Sequence, residues 1–333
     1  MLSVIVPVDL NLRSLDLMRK LTHLVSHQDA SRLRFIVAHN DRGTLFDRLF
    51  KERLARYVNV KLVTGPFYTG AVNNSLLRNR AVEAADTETL LLLDADLVPD
   101  QDLFLRCTGQ IESGHCRLIV LPCLYLSRSG TRRYLQREET KESLYRRYLA
   151  FERKPFLHIA IPSSVMFMTR KDYWDIGGFD ERFTGHGYED FDFMLRLMMA
   201  LGYLAPAPDL LDDVACRAPL LAAGFRKYLG RLSLPHFLDG EFVLHLHHAK
   251  ASRRDYQRQR TANRAYFMDK NRDMAEGGVR SGDTSLIQEF FALCESRSVS
   301  ARDYSILFDN RPGHVDRVES LHERIGRVVT RLI

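Results

Sequence analysis

Leu90-Leu91-Leu92-Leu93-Asp94-Ala95-Asp96 is the stretch whose reading decides the fold. A continuous apolar run of strand length suits a central strand of a parallel sheet, buried on both faces, and the polar C-terminal end of such a strand is where ligands collect in open α/β folds. Two carboxylates one residue apart at that end suggest a divalent cation. Hard cations such as Mg²⁺ and Mn²⁺ take oxygen ligands and bridge a carboxylate to substrate phosphates, so a nucleotide-bearing substrate is the natural companion. An ordinary strand followed by an acidic turn would read the same way, so the pattern needs support from the rest of the chain.

Upstream, strand and helix patterns alternate as in βαβ units with a mainly parallel sheet. Val4 to Val8 reads as a strand, and Leu15 to Ser26 as a helix whose face carries Leu17, Leu21, Leu24 and Val25. Arg34 to Ala38 is a second strand ending in the polar group His39-Asn40-Asp41-Arg42-Gly43. Leu45 to Tyr57 is a second helix, Val58 to Val63 a third strand, and Val72 to Ala85 a helix bearing Asn73, Asn74, Arg78 and Asn79. In outline this is a nucleotide-binding half-fold.

Composition bounds the rest. With 333 residues, 45% hydrophobic and 27% charged, the chain is an ordinary globular protein able to bury a core in one large or two moderate domains. The strand-like start Leu2-Ser3-Val4-Ile5-Val6-Pro7 lacks the features of a signal peptide, and no window approaches the roughly 18 apolar residues of a membrane span. A cytoplasmic location is expected. Five widely spaced cysteines without a Cys-x-x-Cys pair read as reduced thiols, and 48 basic against 42 acidic residues permit an anionic partner without requiring one.

Downstream, Leu118 to Leu126 is a strand, followed over residues 127–156 by a stretch carrying Arg132, Arg133, Arg137, Arg146, Arg147 and Arg153. Either a solvated amphipathic helix plus loop or a mobile segment that meets an anionic acceptor fits that pattern. The second informative motif is Gly177-Gly178-Phe179-Asp180 with Gly185-His186-Gly187-Tyr188-Glu189-Asp190, ahead of an apolar helix from Phe193 to Ala200. Clustered glycines allow a tight turn or a close approach to a ligand, and carboxylates at a helix start complement its dipole.

These elements in this order resemble a glycosyltransferase of the GT-A fold, in the broad family 2 group that builds bacterial capsule and other surface polysaccharides. The glycine-rich stretch also resembles the C-terminal motif shared by bacterial chondroitin-type polymerases and animal β-1,4-galactosyltransferases. The resemblance covers about residues 2 to 250. It implies an α/β fold with a Rossmann-like, mainly parallel central sheet flanked by helices, a nucleotide-binding half over 1–100, an acceptor and catalytic half over 101–250, and a helical extension over 251–333. It further implies that Pro7, Val8, His39, Asn40 and Asp41 border the uracil of a UDP-sugar, that Arg78 approaches the nucleotide, that Asp94 contacts ribose or donor sugar in the Asp94-Ala95-Asp96 motif, and that Asp96 ligates the metal. Asp190 matches the catalytic base and Glu189 a sugar- or acceptor-binding role, with His186, Gly187 and Tyr188 toward the acceptor. His186 stands where related enzymes often carry Trp.

The cluster Glu241-Phe242-Val243-Leu244-His245-Leu246-His247-His248 falls where the family supplies a further metal ligand. Alternation along a strand would put His245 and His247 on one face and His248 on the other, so His247 stands slightly ahead of His245, with His248 third. Mn²⁺ or Mg²⁺ is the expected cofactor. The cation would neutralise a departing diphosphate, and one matched base implies a single displacement with inversion.

Residues 250 to 333 lie beyond the resemblance. Arg253, Arg254, Arg258, Arg260 and Arg264 fall along a helix from Lys250 to Arg264, with further helices near Ser285 to Glu295 and Val315 to Ile333. A solvated basic face is the plain reading, and docking on anionic membrane or a polyanionic acceptor competes with it. The expected partners are a UDP-sugar donor, a glycan or glycolipid acceptor and anionic membrane at the inner face of the cell, with no nucleic acid. A relative that binds nucleotide or polyanion without chemistry, as a partner in polysaccharide assembly, is the alternative. A sugar nucleotidyltransferase would open with a Gly-rich phosphate loop, and Val8 to Arg13 holds no glycine.

Overall fold

The computed structural model of the chain describes residues 1–11, 13–26, 28–213, 216, 218–248, 253–276 and 286–309. The first half alternates as expected: β1 (Leu2–Val8), α1 (Ser14–Val25), β2 (Leu33–Asn40), α2 (Leu45–Leu54), β3 (Val60–Gly65), α3 (Asn74–Glu83) and β4 (Thr89–Leu92). There follow α4 (Gln101–Glu112), β5 (Leu118–Leu126), α5 (Arg128–Leu135), α6 (Lys141–Leu149), β6 (Phe156–Thr169), α7 (Arg170–Asp175), α8 (Glu189–Ala200), α9 (Phe225–Leu238), β7 (Val243–His245), α10 (Arg253–Lys270), α11 (Arg272–Glu276) and α12 (Leu286–Ser296).

One seven-stranded sheet runs in the order β3-β2-β1-β4-β6-β5-β7. The pairs from β3 through β4 are parallel, β6 is antiparallel to both its neighbours, and β7 is parallel to β5. The apolar run sits at the centre as its composition requires, with Leu90, Leu91, Leu92 and Leu93 all buried. One face packs on Leu21, Leu24, Phe50 and Phe104, the other on Leu77, Phe179, Phe193 and Leu195.

The reversed strand β6 escaped the sequence reading because Pro162, Ser163 and Ser164 interrupt it midway and it follows a basic segment. That basic segment is two short helices, and three of its arginines are used internally. Arg133 and Arg147 both meet the buried Glu139, and Arg153 meets Asp309. Helix α8 begins at Glu189 rather than Phe193, so both carboxylates of the motif lie in its first turn.

Described residues beyond 250 pack into the cores of the preceding part. Phe267 of α10 is buried among Tyr188, Phe193 and Phe225, while Leu286, Phe290 and Cys294 of α12 join a third core with Phe237 and Phe242. The expected basic face of α10 is turned partly inward: Arg260 lies over the Tyr188 ring at 5.1 Å and Arg264 Nε donates to Asp213 at 2.8 Å. The helix expected over Val315 to Ile333 lies outside the described residues. No described helix is long and apolar enough to cross a membrane.

Candidate active site

After β4 ends, the chain turns at Asp94, whose carbonyl accepts from Leu97 N, and residues 96–98 cross to the end of β7. Leu246 N donates to Asp96 O at 2.8 Å and Val98 N to Leu244 O at 2.9 Å, with Leu97 bridged to His245. This crossing is what sets Asp96 beside the histidines. His245 Nε2 stands 3.9 Å and His248 Nε2 3.4 Å from Asp96 Oδ2. One ligand atom from each of Asp96, His245 and His248 falls within a 4.8 Å cluster.

His247, placed first by strand alternation, is not in that cluster. Strand β7 stops at His245, so the period of two does not extend to residue 247. Its backbone is tied down instead, the N–H donating to Thr131 Oγ1 at 2.7 Å and the carbonyl accepting from Lys20 Nζ at 2.8 Å. His248, placed third, takes the position beside Asp96.

The three side chains fit a borderline divalent cation in their chemistry: one carboxylate and two imidazoles. Asp96 Oδ1 is buried and accepts no hydrogen bond from any described residue. Burial would raise the Asp96 carboxyl, but Arg13, His245, His248 and Lys20 outweigh it and hold the group down at about 2. His245 is driven to about 3 by burial against the opposing pull of Asp96, so its ring is neutral and able to ligate. The ring is also fixed in plane. On adjacent strands His158, Tyr125 and His245 are in register, and Tyr125 stacks on His158 at 4.2 Å and on His245 at 4.1 Å.

The second half of the site is built around Arg78 on α3. It is 2% exposed, and its guanidinium joins two carboxylates: Nη2 to Asp94 Oδ1 at 3.0 Å and Nη1 to Asp190 Oδ1 at 2.7 Å. Asp94 also accepts from Ser164 Oγ at 3.1 Å. Asp94 and Asp190 remain 38% and 27% exposed, so each offers surface beyond the arginine. Glu189 beside them is buried, and its Oε2 has no hydrogen-bond partner among the described residues. Burial, then the neighbouring Asp190, pushes Glu189 up to about 8, while burial raises Asp190 against the lowering effect of Arg78. A protonated Glu189 can donate a hydrogen bond at neutral pH, and an ionised Asp190 of raised basicity can take a proton.

Other expected site residues are placed differently. His39 is 0% exposed, bonded to Asp47 at 2.9 Å and Thr64 at 3.2 Å, and Asn40 is buried holding the Tyr68 backbone. Both side chains are turned into the interior. Pro7 and Val8 are likewise buried, while Asp41 stays near the surface paired with Lys51. The polar groups that line this end of the sheet are Asp9, Arg42 and Tyr68. Arg42 grips Asp9 through Nε at 3.1 Å and Nη2 at 2.7 Å, and the Tyr68 hydroxyl donates to the same carboxylate at 2.8 Å.

The glycine turn serves α10. A Cβ on Gly185 would lie 2.4 Å from Gln259 and one on Gly187 2.6 Å from Arg260, and both residues have φ above +80°. Asn263 on the same helix caps the turn, donating to Thr184 O and Gly187 O. Tyr188, expected toward the acceptor, is buried with its hydroxyl donating to Asp213, and it takes the left-handed φ of 74°. His186 and Gly187 are half-open, and burial and then Arg13 lower the His186 pKa.

The family model described as glycosyltransferase like family 2 matches residues 56–272, more than half of the chain. The chain belongs to glycosyltransferase-like family 2.

The chain is similar to residues 1–349 of S. aureus TarS at 16% identity, over 59% of this chain and 54% of that one, with a TM-score of 0.40. The chain thus spans about half of that structure. The same TarS segment in complex with UDP-GlcNAc gives 14% identity over 89% and 72% of the two chains, TM-score 0.41. Glucosyl-3-phosphoglycerate synthase from Mycobacterium tuberculosis, in complex with Mn²⁺, uridine diphosphate and phosphoglyceric acid, gives 15% identity over 61% and 65%, TM-score 0.37. No curated protein matches the sequence.

Proposed function

We propose that this glycosyltransferase is an inverting, metal-dependent enzyme that moves a hexosyl or N-acetylhexosaminyl group from a UDP-sugar to a hydroxyl of a growing bacterial surface glycan, such as capsule or lipopolysaccharide. The observation that carries the reading is the joined pair of half-sites: Asp94 and Asp190 share Arg78, and two residues after Asp94 the carboxylate of Asp96 meets two imidazoles.

A Mn²⁺ or Mg²⁺ ion held by Asp96, His245 and His248 would supply Lewis-acid neutralisation of the departing diphosphate. The chain's own residues do the rest. Arg78 holds Asp94 and Asp190 at fixed spacing, so the donor side and the acceptor side of the reacting carbon are positioned together. Asp190 accepts the proton of the attacking hydroxyl, and Glu189, protonated by its burial, donates to a sugar oxygen. With one base on the acceptor side, attack displaces UDP directly and the anomeric centre inverts. The acceptor is a glycan or glycolipid, and the site of action the cytoplasmic side of the membrane.

The test incubates purified protein with Mn²⁺ and a panel of UDP-sugars, without acceptor, and follows UDP release. Slow hydrolysis of one donor that stops on chelation supports the reading. No release from any donor, together with intact UDP binding, transfers weight to an assembly partner without chemistry.

A further inference from the structure

Asp96 is surrounded by more positive charge than a carboxylate reserved for a dication needs. Arg13 Nη1 donates to Oδ2 at 2.9 Å, and Lys20 Nζ stands 3.4 Å from Oδ1, in addition to the two imidazoles. The two cations differ in freedom. Lys20 is 7% exposed and held on three sides, by Asp96, by the His247 carbonyl at 2.8 Å and by Asp16 at 3.0 Å. Arg13 is 26% exposed, precedes the first turn of α1, and among the described residues pairs beside Asp96 only with the more exposed Asp16 at 3.8 Å.

The charges decide what can enter. Among the described residues, Asp16 and Asp96 balance Arg13 and Lys20. A dication alone would add two positive charges within a few ångströms of two fixed ones, in a place where screening by water is poor. A dication arriving with a nucleoside diphosphate brings compensating negative charge, and a planar guanidinium can pair with phosphate oxygens through two parallel N–H groups.

We propose that Arg13 is an internal competitor for the cation site: it occupies Asp96 until a divalent cation and a nucleoside diphosphate arrive together, and then exchanges the carboxylate for the diphosphate. The assignment rests on the donor reading above and adds to it a cause for the order of binding. Lys20, unable to leave, remains as a point charge beneath the same phosphates.

Two ligands measured on one variant test it. Mn²⁺ binding followed by electron paramagnetic resonance without nucleotide, and UDP binding by calorimetry at saturating Mn²⁺, are compared for the wild type, Arg13→Gln and Arg13→Lys. Removing the competitor should tighten Mn²⁺ by about tenfold and weaken UDP by about tenfold, each about 1.4 kcal/mol. Arg13→Lys should recover only part of the UDP affinity, because one ammonium cannot make the paired contact. Opposite signs separate this role from a structural one, which would weaken both ligands. Unchanged or weaker Mn²⁺ binding in Arg13→Gln overturns the competition, and unchanged UDP binding overturns the exchange. Failure of the wild type to bind UDP even with Mn²⁺ would sink the donor reading and the exchange with it, whereas unaltered affinities in the variant beside a wild type that binds both sink only the role of Arg13.

Discussion

Arg78 Nη1 donates to Asp190 Oδ1 across 2.7 Å while Nη2 of the same buried guanidinium holds Asp94, so a residue on α3 ties the end of the central strand to the first turn of α8. Burial would lower the Arg78 pKa, but Asp190 and Asp94 more than restore it and keep the charge in place. Replacing it by Met leaves two carboxylates facing each other without a cation. Arg78→Met should lose about 3 kcal/mol, the lower end for breaking a buried pair because both carboxylates are partly open. Arg78→Lys should recover little, since one ammonium cannot span both groups. Thermal denaturation of the two variants checks the first point, and their UDP release the second.

Asp190 keeps an exposed face while Glu189 does not, which separates their proposed roles. Asp190→Asn keeps the volume and can still face Arg78 through its amide oxygen, so the fold and UDP binding should stay close to wild type. Turnover should fall by about 10²–10⁴-fold, the usual worth of a positioned base. Steady-state transfer beside calorimetric UDP binding distinguishes the two effects. Retained turnover would remove Asp190 from the chemistry.

The histidines give a discriminating series. His245→Ala and His248→Ala should each weaken Mn²⁺ measured with UDP present by at least about tenfold, and His247→Ala should not, because only the backbone of residue 247 is used near the cluster. Tyr125→Leu should weaken Mn²⁺ as well, since outer partners that fix a ligand ring contribute about 10–100-fold to affinity. Tyr125→Phe, which keeps the stack on His245, should not.

Much of this architecture was legible in the sequence because its signals are local. An apolar run with Asp94 and Asp96 at its end specifies a central strand and a carboxylate pair, and alternating patterns specify the parallel half. What could not be read depends on contacts between distant segments. Nothing near residue 248 says that the crossing of residues 96–98 to β7 will stop the strand and turn His248 toward Asp96. Arg13 and Lys20 look like ordinary cations at the start of a helix until Asp96 is beside them. The resemblance sets His39 and Asn40 beside the uracil and the polar run ends the strand at Ala38, yet the strand continues to Asn40 and both side chains turn inward. Gly185 and Gly187 suggest a tight turn or a close approach to a ligand, and the group packed against them is α10.

That approach is itself testable. Gly187→Ala forces a side chain into left-handed backbone at φ +91° and onto the Arg260 guanidinium, whose far end can shift. The conformational part should cost about 1 kcal/mol. Gly187→Ala combined with Arg260→Ala should recover the steric part and leave the backbone part. A double-mutant cycle by chemical denaturation measures the difference, and complete additivity would show that Arg260 does not crowd the turn.

Glu189 predicts how stability depends on pH. Its folded pKa is raised, to about 8, above the ordinary value of 4.5. A carboxyl raised in this way favours the folded state when protonated, so its contribution is complete below about 4.5 and is lost as pH rises through about 8. The wild type should therefore lose stability between about pH 4.5 and about 8, by on the order of a few kcal/mol. Glu189→Gln puts a neutral group of the same shape at the site and should flatten that part of the profile, melting above the wild type at pH 9 and close to it at pH 5. Thermal denaturation across the range checks the sign. Parallel curves for the two proteins would mean that Glu189 is ionised in the folded chain and that its burial is offset by charge from Arg78.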